Sequence, residues 1–177
     1  MSVKLRKMLG SADAPYIVSL MRLIETQSKI TIAKWCIEYA ERNILPLYEK
    51  HCPDDKRPHR TLEAARDWLE GKVKLPYVKS IILNECYAAA RELNINPIAQ
   101  AAARTVGQAA ACIHTPTHSL GLAFYGAAAI AYDRVGVNET PEVYEKIASE
   151  ECSKMLLALR AVSVENESNP VKINWNC

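Results

Sequence analysis

The stretch that decides the fold is NPIAQAAARTVGQAAACIHTPTHSLGLAFYGAAAIAY, residues 96–132, which predicts two helices that meet at its HTPTH segment. Asn96 followed by Pro97 predicts a helix start, because Asn caps free backbone N–H groups and Pro suits the first helical position. Thr115 followed by Pro116 repeats this signal. Small side chains let helix backbones approach closely, so we expect this alanine-rich pair to lie at the centre of a bundle.

Length and composition favour a single all-α domain. The 177 residues are enough for one core, and 49% apolar with 24% charged residues is ordinary for a globular protein. One Phe and many alanines favour helices over strands. We therefore predict one helical domain over residues 1–163 and an irregular tail over residues 164–177, with Trp175 packed on the domain.

Apolar residues recur at the i, i+3, i+4, i+7 spacing of amphipathic helices through the rest of the chain. Pro46 interrupts one such pattern and predicts a kink or a helix end, and Gly71 predicts another helix end. With the central pair, these patterns predict a compact all-α bundle of about seven helices and no strand. Outside the central pair, the predicted helices are one ending at Ile24 after a cap at Ser11 or Asp13, and those over residues 30–50, 61–70, 76–93 and 141–162.

The charge of the chain argues against two classes of partner. A net charge of +2 is too small to indicate a nucleic-acid or acidic-membrane partner, and no block of basic residues is found. The longest apolar stretch, around Leu120 to Tyr132, is too short to span a bilayer. We therefore expect neither a nucleic-acid partner nor a membrane partner.

The cysteine spacing favours free thiols. No C-x-x-C pair occurs and no signal-peptide pattern opens the sequence, so we expect reduced cysteines in a cytoplasmic protein. A disulfide framework in an exported protein is the alternative. The six residues concerned are Cys36, Cys52, Cys86, Cys112, Cys152 and Cys177.

Two histidines near the helix junction are the sharpest candidates for chemistry. His114 and His118 have the i, i+4 spacing at which two imidazoles on one helix can bind one metal, and Cys112 lies two residues earlier. Pro116 stands between the histidines and predicts a break in the helix that this spacing needs. We therefore expect structural or partner-facing histidines and no metal or other cofactor. We keep a weak metal site at these three residues as the alternative, and we expect no catalysis by Ser119.

The most polar window of the chain, residues 51–60, predicts a corner between two helices. In one interpretation it is solvated, with Asp54 or Asp55 capping the next helix. In the other, its charged groups bind a partner or an anion. The residues that we propose to test for partner binding are Asp54, Asp55, Arg57, His59, Arg60 and the neighbouring Trp68.

Three motifs in order resemble a known family. They are WCIEYAERNILPLYE (residues 35–49), PDDKRP (residues 53–58) and EAARDWLEG (residues 63–71), followed by AACIH (residues 110–114) and HSLG (residues 118–121). This order is similar to that of the all-α "putative immunity protein" family of bacterial polymorphic-toxin systems. The chain departs from the family pattern at Tyr39, where Cys is common, at Lys56 and at His59.

The resemblance implies a non-enzymatic protein that binds and neutralises a cognate toxin. It names neither the toxin nor an active site. The runner-up function is a small metal-dependent hydrolase that would use Cys112, His114, His118 and a carboxylate. Alanine-lined helices can pack within one chain or across a two-fold axis, so a homo-oligomer stays open.

Overall fold

Nine α-helices, one π-helical turn and one 3-10 turn form the regular structure of residues 5–176, the part of the chain that the computed structural model describes. In chain order they are α1 (Pro15–Ile24), α2 (Lys29–Asn43), α3 (Leu45–His51), α4 (Arg57–Leu69), α5 (Leu75–Ile81), the π turn (Ile82–Cys86), α6 (Tyr87–Glu92), α7 (Pro97–Ala111), the 3-10 turn (Pro116–His118), α8 (Ser119–Val135) and α9 (Pro141–Val162).

The helix count agrees with the sequence pattern once interrupted helices are joined. Only Ile44 separates α2 from α3, and the π turn runs without a gap from α5 into α6. Counting each of these two as one helix leaves seven helical segments, and no strand occurs in residues 5–176. The prediction of an all-α bundle of about seven helices is confirmed.

The alanine-rich pair α7 and α8 forms the centre of the bundle, as predicted. These two helices pack most extensively on each other, and α7 also contacts α2, α3, α4 and α6. All of their alanines are buried, because a methyl group fills the narrow space between close backbones. Gly126 of α8 permits one such approach, since a Cβ added there would lie 3.2 Å from the Met155 Cε of α9.

Local signals account for most of the helix ends. Asn96 caps α7 by accepting a hydrogen bond from the Ala99 N–H at 3.1 Å, and Gly71 follows α4 with a φ of +74°, which glycine adopts without strain. Two expectations were wrong. Neither Ser11 nor Asp13 caps α1, whose N-cap is Ala14. Helix α4 begins at Arg57 rather than at residue 61, since Pro58 suits its first turn.

Residues 163–176 contain no regular helix and cross the turn between α1 and α2. The buried side chain of Gln27 accepts a hydrogen bond from the Val164 N–H at 2.7 Å, and its backbone oxygen accepts one from Val171 at 2.9 Å. The indole of Trp175 donates to Glu25 Oε1 at 2.6 Å, so this residue ties the tail down as expected. Cys177 and residues 1–4 lie outside the described residues.

None of the helices within residues 5–176 is both long and apolar enough to cross a bilayer.

The cysteines of residues 5–176 are all free thiols, as the sequence predicted for them. They are Cys36, Cys52, Cys86, Cys112 and Cys152.

Candidate functional site

Asp55 organises the charged corner, which we define as residues 54–60. Its carboxylate accepts hydrogen bonds from the buried Tyr48 hydroxyl at 2.7 Å, the Arg57 backbone N–H at 3.0 Å and Arg57 Nη2 at 2.8 Å. The bonds from the Arg57 side chain, followed by the bond from Tyr48, lower the pKa of Asp55 to about 2. Asp55 is therefore an anion at neutral pH and holds the first turn of α4 in place.

Arg57 has a second carboxylate partner at the far end of a neighbouring helix. Its Nη2 lies 2.7 Å from Glu92 Oε2 and its Nη1 lies 3.1 Å from Glu92 Oε1, so the pair is bidentate. Bonds from Asp55 and Glu92 raise the pKa of the guanidinium above its usual range. Arg57 joins the start of α4 to the end of α6, and its donors are occupied within the fold.

Other predicted corner residues face outward. Asp54 is exposed, and its carboxylate has no hydrogen bond or ion pair within residues 5–176. His59 is partly exposed, with ring nitrogens 3.8 Å from a Glu49 oxygen and 3.5 Å from a Glu63 oxygen. Arg60 is about half exposed and pairs with Glu85 at 2.8 Å.

The predicted set therefore divides in two. Asp55 and Arg57 hold the corner together, while the polar side chains of Asp54, His59 and Arg60 reach solvent. Trp68, near the other end of α4, is partly buried and packs against the core.

The histidine junction, which we define as His114 and His118 with their partners, is a second polar cluster. His118 Nδ1 lies 2.7 Å from Gln108 Oε1, and Gln108 Nε2 donates to the Tyr87 hydroxyl at 2.8 Å. Because the Gln108 amide nitrogen donates to Tyr87, the Gln108 amide oxygen accepts a hydrogen bond from His118 Nδ1–H. His118 Nε2 is then the nitrogen without a proton, and none of the described residues hydrogen-bonds to it.

Two glycines make room for this cluster. A Cβ on Gly107 would lie 2.4 Å from Tyr87 Cε1, and a Cβ on Gly121 would lie 2.3 Å from Gln108 Oε1. Real side-chain carbons do not approach so closely. Gly107 therefore leaves room for the Tyr87 ring, and Gly121 leaves room for the Gln108 amide.

His114 stands beside His118 without bonding to it. Their ring centroids are 6.1 Å apart at an interplanar angle of 81°, and His114 Nδ1 lies 2.7 Å from Thr115 Oγ1. Burial lowers the pKa of both histidines, and Lys79 and Lys29 lower that of His114 further. Neutral imidazoles are therefore favoured at this junction.

Cys112 does not join the two histidines. Its thiol donates to the Gln108 carbonyl at 3.4 Å and lies against the Cys36 thiol in the core. Across residues 5–176, no three His, Cys, Asp or Glu side chains are close enough together to hold a metal ion. The buried Ser119 hydroxyl donates to the Pro116 carbonyl at 2.6 Å rather than contacting His118.

Several residues of these clusters had no sequence signal that pointed to them. Glu92 and Glu85, which pair with the arginines of α4, are ordinary polar positions of an amphipathic helix. Tyr87 and Gln108 are separated by 21 residues and meet only when α6 packs on α7. Gly107 and Gly121 were visible as interruptions of alanine-rich helices, which is a signal of close approach without an indication of what approaches.

Comparison with known proteins gives one family match. A family model described as "Imm-5 like putative immunity protein" matches residues 22–158, which is most of the chain and contains the charged corner and the histidine junction. No curated protein and no solved structure matches the chain. The match confirms the family resemblance that the three motifs indicated.

Proposed function

The chain belongs to the Imm-5 like putative immunity protein family, and from this premise we propose that it binds a cognate toxin and neutralises it by protein–protein contact, without catalysing a reaction. A protein that acts in this way needs a rigid surface with side chains already held in place, because ordering them on binding would weaken the complex. The charged corner has these properties.

The observation that carries this proposal is that some corner residues hold the corner together while others reach solvent. Arg57 is engaged by both Asp55 and Glu92, which fixes the first turn of α4 against α6. On that fixed turn His59 and Arg60 reach solvent, and Asp54 does so just before the helix begins. Charged groups on a rigid helical turn steer a complementary partner and set its orientation. We therefore assign toxin contact to these three outward residues and a supporting role to Arg57.

Co-expression with the toxin encoded by a neighbouring gene tests the function. We expect the parent protein to protect cells that produce this toxin and to form a stable complex with the purified toxin domain. A double variant, His59→Ala with Arg60→Ala, should bind more weakly, and Lys146→Ala on α9 serves as the matched control because this lysine is exposed and has no ion pair within residues 5–176. A parent protein that neither protects nor binds would overturn the proposal.

A further inference from the structure

The helix formed by α5, the π turn and α6 exposes two large apolar side chains. Tyr77 is 54% and Leu83 57% exposed, although Val78, Ile82 and Cys86 of the same helix are buried. Leu83 lies in the π turn, a feature that occurs often at functional sites because the extra residue shifts the side chains around it. Leu83 is therefore a large apolar side chain that the described part of the fold leaves uncovered.

The charged side chains of this helix that have no ion pair within residues 5–176 are all positive. The carboxylates between residues 73 and 96 are Glu85 and Glu92, and each is paired with an arginine of α4. The cations of the same segment, Lys74, Lys79 and Arg91, have no ion pair within residues 5–176. The helix therefore presents positive charge that the fold itself does not neutralise.

Leu83 lies between two of these cations on the helix. Lys79 precedes it by one turn and Arg91 follows it by about two turns, so all three lie on one side of the helix. Lys79 is also close enough to His114 to lower the pKa of that imidazole. Tyr77 lies two residues before Lys79 and therefore on another side of the helix.

We propose that this surface, the α5–α6 face (Lys79, Leu83 and Arg91), is where an acidic protein partner docks, with an apolar patch over Leu83 and carboxylates opposite Lys79 and Arg91. The inference rests on the proposed function and names the chemistry of the toxin surface. The two cations form a polar edge on either side of the Leu83 side chain. Interfaces have this arrangement of an apolar centre and a polar edge.

Binding of the toxin domain encoded by the neighbouring gene, measured by calorimetry, tests the face. Leu83→Asp should raise the Kd by roughly tenfold or more, because it places a carboxylate at the centre of the contact. The pair Lys79→Glu with Arg91→Glu should also raise the Kd and should reduce its dependence on salt. Matched controls on α9 are Leu157→Asp, where the side chain is 63% exposed, and Lys146→Glu; each should stay within about twofold of the parent.

The outcomes separate this inference from the function on which it rests. Circular dichroism should first show that the parent and Leu83→Asp are both folded. If both then bind the toxin equally well, the assignment of the docking face is wrong and the proposed immunity function stands. If the parent does not bind the toxin, both proposals fall. Light scattering should show a monomeric parent; a dimer that Leu83→Asp dissociates would overturn the proposal, because a second copy would then cover the face.

Discussion

His118 is oriented by Gln108, whose side-chain oxygen lies 2.7 Å from His118 Nδ1 and whose amide nitrogen donates to Tyr87. This relationship joins the start of α8 to α7 and α6 through side chains alone. It depends on Gly121, because any Cβ at that position would occupy the space of the Gln108 amide.

Gly121→Ala should therefore destabilise the protein. The added methyl must displace Gln108 and break its bonds to His118 and Tyr87, and overpacking of this kind costs about 1–3 kcal/mol. Urea unfolding measures the change in the free energy of unfolding. In a Gln108→Ala background the methyl has room, so the two changes should be less than additive. Full additivity would show that Gly121 and Gln108 do not constrain each other.

The two junction histidines should titrate below their ordinary pKa of 6.5. Since the fold favours the neutral imidazoles, the stability that they contribute is present above about pH 6.5 and is lost as the pH falls below that value. NMR titration of the ring protons measures each pKa. Lys79→Met should raise the pKa of His114 and leave that of His118 unchanged, because only His114 is near this lysine. Equal shifts in both rings would contradict this arrangement.

The two corner arginines should differ in their effect on stability. Arg57→Met removes bonds to two carboxylates and should lower the free energy of unfolding by about 1–2 kcal/mol, a value reduced by the partial exposure of the site. Arg60→Met removes one surface ion pair and should stay within about 0.5 kcal/mol of the parent. Chemical unfolding of both variants provides the comparison. Equal losses would remove the distinction between a supporting Arg57 and an outward Arg60.

Asp55 should be among the last carboxylates to accept a proton as the pH falls. Its pKa of about 2 lies below the ordinary 3.8, so its contribution to stability is complete above about pH 4 and is lost as the pH falls through 2. Carbon-detected NMR of the carboxyl group gives this pKa directly. Arg57→Met should raise the pKa, because the bonds from the Arg57 side chain are the largest cause of its lowering. An unchanged pKa in the variant would assign the shift to another cause.

The thiols should react unequally in the native protein. Among the cysteines of residues 5–176, Cys52 is partly exposed, whereas Cys36, Cys86, Cys112 and Cys152 are buried. In a Cys177→Ser background, an aromatic disulfide reagent should label one thiol quickly in the native state. Five should react after unfolding without reductant. A lower count after unfolding would reveal a disulfide in the purified protein.

The fold class was accessible from the sequence because its signals are local. Helical periodicity depends on neighbours three and four residues apart, and caps such as Asn96 act within one turn. The break between α2 and α3 at Ile44, just before Pro46, and the central position of the alanine-rich pair follow from the same short-range chemistry. The start of α4 was misplaced, since its first turn consists of charged residues that resemble a loop.

The candidate sites were accessible only in part. The sequence marked residues 54–60 and the two histidines as polar clusters, but gave no means to separate Asp55 and Arg57 from Asp54 and Arg60. That distinction depends on Glu92, which lies 35 residues from Arg57 along the chain. The π turn that contains Leu83 was also invisible, because its residues satisfy the pattern of an ordinary helix.

The sequence by itself determined an all-α chain of the immunity family, with a central alanine-rich pair and a polar corner, since each of these is encoded in short runs of residues. Only the tertiary structure decided which charges are neutralised within the fold and which remain available. Pairing across helices depends on their packing angle and register, and a shift of one residue turns a helical side chain by about 100°. Glu85 and Glu92 thereby meet the arginines of α4, while Lys79 and Arg91 remain unpaired among the described residues.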